Sequence, residues 1–278
     1  MKKALIIEGG GMRSSYAAGV LVSLQELGHT NFDIVLGSSA GACCAVNFIG
    51  GKPEQNYKIL HDFLPNSRFI NYGRLFKFSE NIVDIDYLLD EVTTRHVPLP
   101  IEEFLSSNTK LFIVATDCET GKPVYLDARN GDIRQALRAS CAIPYLYRQK
   151  IMTKGTRLMD GGIAAAIPLT PEIQEEYDEI FVISTRPKGY RKKRNPFGWL
   201  NFLFFPQYPQ MVRVLNNRWR EYNKTMDWLE NPPAHKKITF FQPQRKFPIS
   251  RTSRNPKLVK EAYQMGYEDA HRVLKSSS

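Results

Sequence analysis

The apolar positions fall into short runs separated by glycine-rich breaks, and their period changes along the chain. Ala4-Leu5-Ile6-Ile7 is a continuous apolar stretch, too short for a buried helix, and reads as a strand covered on both faces. After it, Tyr16, Val20, Leu21 and Leu24 recur at helical spacing, which predicts a helix over about 14–27 ending near Gly28. A strand over 33–37 runs into a helix over 40–49. Residues 111–115 form a strongly apolar strand, with 123–126 placed to pair with it across the Thr120-Gly121 turn. A helix over 132–141, a buried strand over 179–184 and an amphipathic helix over 256–275 follow. The stretch 53–105, with Phe63, Tyr87, Leu88 and Leu89 among its apolar positions, is read as mainly helical. Strands alternating with helices predict an α/β fold in three layers, a mainly parallel central sheet flanked by helices. No internal repeat or low-complexity tract interrupts it, and only 276–278 reads as a loose tail.

Three glycine clusters sit where predicted strands end. Gly37-Ser38-Ser39-Ala40-Gly41 follows the apolar Ile34-Val35-Leu36 and matches the G-x-S-x-G pattern. There a strand turns sharply into a helix and lifts a serine oxygen, here that of Ser39, out of the sheet. Gly37 and Gly41 keep side chains away from the crowded turn. The free N–H groups of the next helix favour negative charge beside the serine. Gly9-Gly10-Gly11-Met12-Arg13 lies between a strand and a helix, so its amides can point at an anion. That anion could be a phosphate, or the oxyanion formed when Ser39 attacks an ester; a plain tight turn is the third reading. The dinucleotide fingerprint fails because position 14 is Ser, and no Gly-Lys-Ser/Thr is present. The third cluster, Asp160-Gly161-Gly162, could present a carboxylate in a confined place or form an ordinary Asp-Gly turn.

Together the three clusters resemble those of the patatin-like phospholipase family, and Ala139-Ser140-Cys141-Ala142-Ile143-Pro144 resembles that family's Ala-Ser-x-Ala-x-Pro stretch. The resemblance covers about residues 4–185. It implies a patatin-like fold and a bacterial serine lipid acyl hydrolase with a Ser39–Asp160 dyad. Gly9, Gly10, Gly11, Met12 and Arg13 would supply the oxyanion loop, and Gly37 and Gly41 would frame the nucleophile elbow. In that mechanism Ser39 forms an acyl-enzyme while Asp160 holds the proton and returns it to the leaving alcohol. Amides around Gly10, Gly11 and Met12 would meet the oxyanion. Arg13 would either brace the loop or contact a substrate phosphate. No cofactor and no metal are implied. A non-catalytic lipid-binding protein, or an acyltransferase or thioesterase using the same dyad, shares these features.

A triad would need an imidazole, and in the serine–acid–histidine order only His235 and His271 follow Asp160. His271 points away from the apolar side of its predicted helix, and His235 sits in a loop beside Lys236 and Lys237. Four cysteines, two of them adjacent at Cys43 and Cys44, suggest neither a disulfide framework nor a metal cluster, and fit a reduced, cytoplasmic setting. The apolar part of the opening stretch stops at Glu8, too early for a signal peptide, and no run approaches the length of a membrane span.

Charge divides the chain. The net charge is +10, yet no acid lies between Glu179 and Glu221 or between Glu230 and Glu261, stretches that hold 17 of the 38 cations. The other 21 cations face all 28 acids. With the resemblance ending near residue 185, the chain is expected to divide into a catalytic region, residues 1–185, and a basic, aromatic-containing region, 186–278, that packs on or extends it. Within 186–220 the cations run into Pro196-Phe197-Gly198-Trp199-Leu200-Asn201-Phe202-Leu203-Phe204-Phe205. Cations beside aromatics suit an anionic membrane surface, which predicts peripheral contact at the inner membrane face. The alternative is a Phe-rich core segment beside a solvated basic loop. Nucleic acid is not expected, because no reading motif accompanies the charge. The implied partner is a lipid or phospholipid substrate; oligomeric state is left open.

Overall fold

A computed structural model of the chain describes residues 2–275 apart from 78, 154 and 246. Lys246, counted above among the cations, and the 276–278 tail lie outside the described residues. Strand β1 (Lys3–Ile7) leads through a 3-10 turn, Gly11–Ser14, into helix α1 (Ser15–Glu26). Strand β2 (Ile34–Ser38) runs into α2 (Ala40–Ile49). Helices α3 (Glu54–Lys58) and α4 (Ile101–Ser106) bracket a less regular stretch. The hairpin β3 (Lys110–Asp117) and β4 (Pro123–Asp127) precedes α5 (Ile133–Cys141), and a second hairpin joins β5 (Ile151–Thr153) to β6 (Thr156–Asp160). Helix α6 (Pro171–Glu176) and strand β7 (Glu179–Ile183) follow. Then come α7 (Asn201–Phe204), α8 (Pro209–Glu230), β8 (Lys237–Phe241) and α9 (Pro256–Lys275).

The eight strands make one mixed sheet in the order β5-β6-β3-β2-β1-β7-β8, with β4 also paired to β3. The central pairs are parallel, and the pairs of β3 with β4, β3 with β6 and β5 with β6 are antiparallel. Side chains alternate across the sheet as the period of two requires. Leu5, Ile7, Val35, Phe181 and Ile183 face a core shared with α1, α2 and α9. Ala4, Ile6, Leu36, Ile180 and Val182 face a second core shared with α6 and α8. This is the three-layer, mainly parallel α/β class that the alternation of elements predicts.

Residues beyond 185 build into both layers. Strand β8 extends the sheet beside β7, and α9 packs on α1. That contact is close enough that a Cβ on Gly266 would stand 2.0 Å from the Tyr16 carbonyl oxygen. The Tyr16 hydroxyl donates to Asp269 Oδ2 at 3.2 Å across the same contact.

Between α3 and α4 the stretch is mainly helical as expected, but in short pieces of irregular type. Short π-helical pieces, Ile59–Phe63 and Tyr87–His96, and a 3-10 turn, Tyr72–Phe76, are joined by irregular chain. Asparagine side chains compete for the backbone there. Asn66 Oδ1 accepts from the amides of Arg68 and Phe69, and Asn71 Oδ1 from that of Gly73.

One feature of β3 positions the site. Strand β2 ends with Ser38 opposite Val114, and β6 ends with Asp160 opposite Ala115, the next residue. Because β4 holds the other edge of Ala115 and Thr116, β6 takes over the β2 edge where β2 turns away. Ser39 and Asp160, 121 residues apart in sequence, thus arrive at neighbouring positions along one strand. Their approach is tight: a Cβ on Gly161 would meet the Val114 carbonyl at 2.1 Å and Ser38 Oγ at 2.9 Å.

Candidate active site

Ser39 is the residue on which β2 turns into α2. Its backbone lies at φ 53°, ψ −131°, a strained conformation for a residue with a Cβ. The flanking glycines are sterically required. A Cβ on Gly37 would fall 2.6 Å from the Cα of Ala42, and one on Gly41 2.6 Å from the Ile7 carbonyl oxygen. The elbow is also anchored from outside. The Ser39 amide donates to Ser140 Oγ at 2.8 Å, and that hydroxyl donates to the Val114 carbonyl at 2.5 Å. The same segment holds the third cluster, since the amides of Asp160 and Gly161 donate to the carbonyls of Ala142 and Ser140. Ser140 carried no role in the sequence beyond the family-like stretch, because a serine inside a helix gives no local sign of a partner 101 residues away.

Ser39, Asp160, Gly9, Gly10, Gly11 and Arg13 line one polar cavity of about 360 Å³. Both Ser39 and Asp160 are buried. Asp160 Oδ1 accepts the Gly162 amide at 2.7 Å, and no hydrogen bond joins the carboxylate to Ser39 directly. Beside them the Cys141 thiol lies 3.8 Å from Cys43 Sγ. The hydrogen bond with Cys43, then burial, push that thiol far above the ordinary cysteine range. Neither cysteine neighbour was singled out from the sequence as part of the site.

The glycine loop needs one correction. Met12 was expected among the oxyanion donors, but its amide donates to the Arg251 carbonyl at 2.9 Å. Its side chain turns into the apolar cavity described below. The Gly9 amide donates to Ala166 and that of Arg13 to Gly10. This leaves the amides of Gly10 and Gly11 as the loop donors without a partner among the described residues. The loop cannot rearrange freely, because the Arg251 segment lies against it: a Cβ on Gly11 would meet the Arg251 carbonyl at 2.6 Å.

Two cavities of opposite character meet at Ser39. On one side is a cavity of about 790 Å³ with almost wholly apolar walls, to which the 59–99 stretch contributes Leu60, Phe69, Val83 and Leu88 among others. On the other is the polar cavity, with Arg186, Lys192, Arg218 and Arg251 in its wall beside Arg13. Burial, then the charge of Arg186, push the Arg13 guanidinium down to about 10. Burial, then Arg218, hold the Lys192 ammonium well below its ordinary value. Of the histidines, none lines either cavity among the described residues. His235 is exposed, and the His271 ring stacks near Tyr267 with Nε2 3.6 Å from a Glu26 oxygen. Among the described residues no cluster of three or more His, Cys, Asp or Glu side chains is placed to hold a metal ion.

Comparison with known proteins bears on the family and the fold. Residues 5–173 match the family described as patatin-like phospholipase. The chain belongs to that family. At family level this makes it a lipid hydrolase. Residues 208–277 match a second family, a domain of unknown function (DUF6363). The uncharacterized protein YjjU of Escherichia coli (strain K12) is 28% identical over 268 residues, which are 95% of this chain and 74% of that protein. Among solved structures, VipD from Legionella pneumophila superposes with a TM-score of 0.56 at 14% identity. That match covers 99% of this chain and 67% of VipD, and it speaks to the patatin-like fold. The type III effector protein ExoU gives a TM-score of 0.45 at 11% identity, over 99% of this chain and 52% of ExoU. Among the described residues, no helix is long and apolar enough to cross a membrane.

Proposed function

We propose that the protein hydrolyses carboxylic esters of membrane lipids through a Ser39–Asp160 dyad. The observation that carries this is the position of Ser39: a strained elbow, at the junction of an apolar cavity and a polar cavity that also holds Asp160. The apolar cavity takes the acyl chain, so the ester carbonyl comes to rest at the junction. Ser39 Oγ attacks the carbonyl carbon as its proton passes to the Asp160 carboxylate. Rotation of the Ser39 side chain towards Asp160 accompanies substrate binding, in keeping with catalytic hydrogen bonds that tighten only in the substrate complex. The oxyanion accepts from the Gly10 and Gly11 amides, next to the N-terminal end of α2. The C–O bond to the alcohol breaks, and the alcohol leaves with the proton held by Asp160. A water then attacks the acyl-enzyme as its proton passes to Asp160, and the fatty acid departs as Asp160 returns that proton to Ser39 Oγ.

In this reading residues 1–185 carry the chemistry, and 186–278 close the polar side and dock on the membrane. Phe197, Trp199, Leu203 and Phe204 are all more than 60% exposed, beside exposed Lys193 and Arg194. A second apolar loop presents Phe76 at 84% exposure with Leu75. Segment 145–148 ties the two together. The Tyr145 ring packs on Phe204 and Phe205, and the Arg148 guanidinium donates to the carbonyls of Leu75 and Lys77. Apolar tips with flanking cations suit insertion among anionic headgroups.

The test is hydrolysis of p-nitrophenyl butyrate with fluorophosphonate labelling of the same samples. Ser39→Ala is expected to abolish both, and Asp160→Asn to remove nearly all turnover. His235→Ala should behave as wild type. Turnover surviving in Asp160→Asn but lost in His235→Ala would replace the dyad with a triad. Wild-type protein that neither labels nor turns over would leave a non-catalytic lipid binder.

A further inference from the structure

The polar cavity beside Ser39 holds more positive charge than the dyad chemistry uses. Five cations line it, Arg13, Arg186, Lys192, Arg218 and Arg251, against two carboxylates, Glu8 and Asp160. Glu8 is already engaged, its Oε2 accepting from Ser184 Oγ and the Thr185 amide, both at 2.7 Å. None of the five forms an ion pair within 4.0 Å among the described residues. Some partly buried arginines elsewhere are paired with carboxylates. Arg138 reaches Asp86 and Asp90, and Arg191 reaches Asp227 and Glu230. Arg157, buried outside the cavity, is a single cation, unpaired among the described residues, that lies over the Tyr208 ring, whereas here five converge.

Burying like charges together without counter-ions is costly, and folds keep such groups where something else compensates them. Two of the five are themselves buried, Arg13 and Lys192 at 4% and 9% exposure. The Nε atoms of Arg13 and Arg186 are enclosed with no acceptor. The cations also burden one another: Arg186 and Arg251 oppose the charge on Arg13, and Arg218, Arg251 and Arg186 oppose that on Lys192. They come from separate places, the turn before α1, the loop after β7, the inner face of α8 and the loop before α9. Four of the five lie beyond residue 185. Nothing local forces them together, so their convergence on Ser39 requires a purpose in the folded molecule.

We propose that this chamber is a subsite for a phosphomonoester dianion, and that it selects acyl esters carrying a terminal, uncapped phosphate over those capped by choline or ethanolamine. A phosphomonoester brings a charge of about −1.5 to −2 at neutral pH and three acceptor oxygens. Guanidinium forks match those oxygens in pairs. A choline or ethanolamine cap adds a cation that the same five side chains repel, inside a cavity of about 360 Å³. The route in is present. A neighbouring cavity shares Arg186, Lys192 and Arg218 with the chamber and continues past Asn201 and Tyr145, next to the exposed aromatic segment. The inference rests on the acyl-hydrolase reading of Ser39 for its substrate, but not for the anion site itself.

The test therefore reads binding apart from turnover. Short-chain di-O-hexyl phosphatidic acid and di-O-hexyl phosphatidylcholine have ether links that no hydrolase cleaves. Each is titrated as monomers into the full chain by calorimetry at low salt, beside inorganic phosphate. The phosphatidic acid analogue is expected to bind at least about 10-fold tighter than the choline analogue, and its affinity to fall as salt rises. Arg218→Gln and Arg186→Gln should each weaken the phosphatidic acid analogue about 10-fold or more, the value of one charged hydrogen bond, while moving the choline analogue by less than about 3-fold. Two variants are used so that one misfolded protein does not decide the matter. Equal affinity for the two lipids, or a preference that survives both substitutions, would overturn the proposal. Inorganic phosphate binding as tightly as the phosphatidic acid analogue would assign the chamber to free phosphate and overturn the headgroup assignment. Fluorophosphonate labelling of the same wild-type sample keeps the two readings apart. A labelled serine without headgroup preference sinks the subsite alone, and headgroup preference without labelling sinks the hydrolase alone.

Discussion

Ser140→Ala is the sharpest probe of how the elbow is held. The Ser140 hydroxyl accepts from the Ser39 amide at 2.8 Å and donates to the Val114 carbonyl at 2.5 Å, both inside the core. Alanine removes both bonds and leaves the buried Ser39 N–H without an acceptor. A buried donor stranded in this way costs about 1–3 kcal/mol. Taking about 2 kcal/mol, and a melting entropy of roughly 0.6 kcal/mol per kelvin for a chain of this size, the melting temperature should fall by about 3 °C. The effect on rate should be larger. The same amide fixes a backbone held at φ 53°, and without its anchor that strain can relax by moving the nucleophile. A displacement of about 1 Å at a reacting atom costs up to about 100-fold in rate. Calorimetric melting and the turnover of p-nitrophenyl butyrate together check this. The expectation is kcat lower by about 10–100-fold with KM nearly unchanged, since no acyl-chain contact is touched. A variant that melts lower but keeps full kcat would refute the argument, because the elbow would then hold its shape unaided.

Other expectations follow from the same geometry. Gly266→Ala drives a Cβ to 2.0 Å from the Tyr16 carbonyl, backbone against backbone, and should cost about 2–3 kcal/mol in urea denaturation. Gly28→Ala, with φ +76° but open space around it, should cost only about 1 kcal/mol; similar losses for the two would refute the close α1–α9 contact. His29 is held below the ordinary histidine value by burial and then by Lys3. The unfolded chain therefore takes up its proton first, and this site subtracts stability as pH falls below about 6.5. Urea midpoints of His29→Gln at about pH 7 and about pH 5 should differ less than those of wild type. Trp199→Ser and Phe204→Ser should each weaken binding to vesicles rich in anionic lipid, by about 10-fold if the ring inserts fully. Binding indifferent to both changes and to salt would remove the docking face.

How the chain divides between local and long-range information is clear from particular residues. The elbow at Gly37–Gly41 was legible because its demands are local: an apolar strand, a residue at positive φ and two positions with no room for a Cβ. The strands β1, β3 and β7 and the helix α9 were legible for the same reason, since their burial follows the period of each element. The family resemblance brought Ser39 and Asp160 into one hypothesis, but local pattern could not say how they meet. That was decided by β6 running antiparallel along the edge β2 vacates, which places Ala115 and Val114 beside the two residues. Tertiary packing also took the Met12 amide for Arg251 and gave Ser140 its partner. It drew Arg13, Arg186, Lys192, Arg218 and Arg251 into one cavity. Periodicity and steric demand act over a few residues and leave a mark in the sequence, whereas charges converging from distant loops leave none until the chain has folded around them.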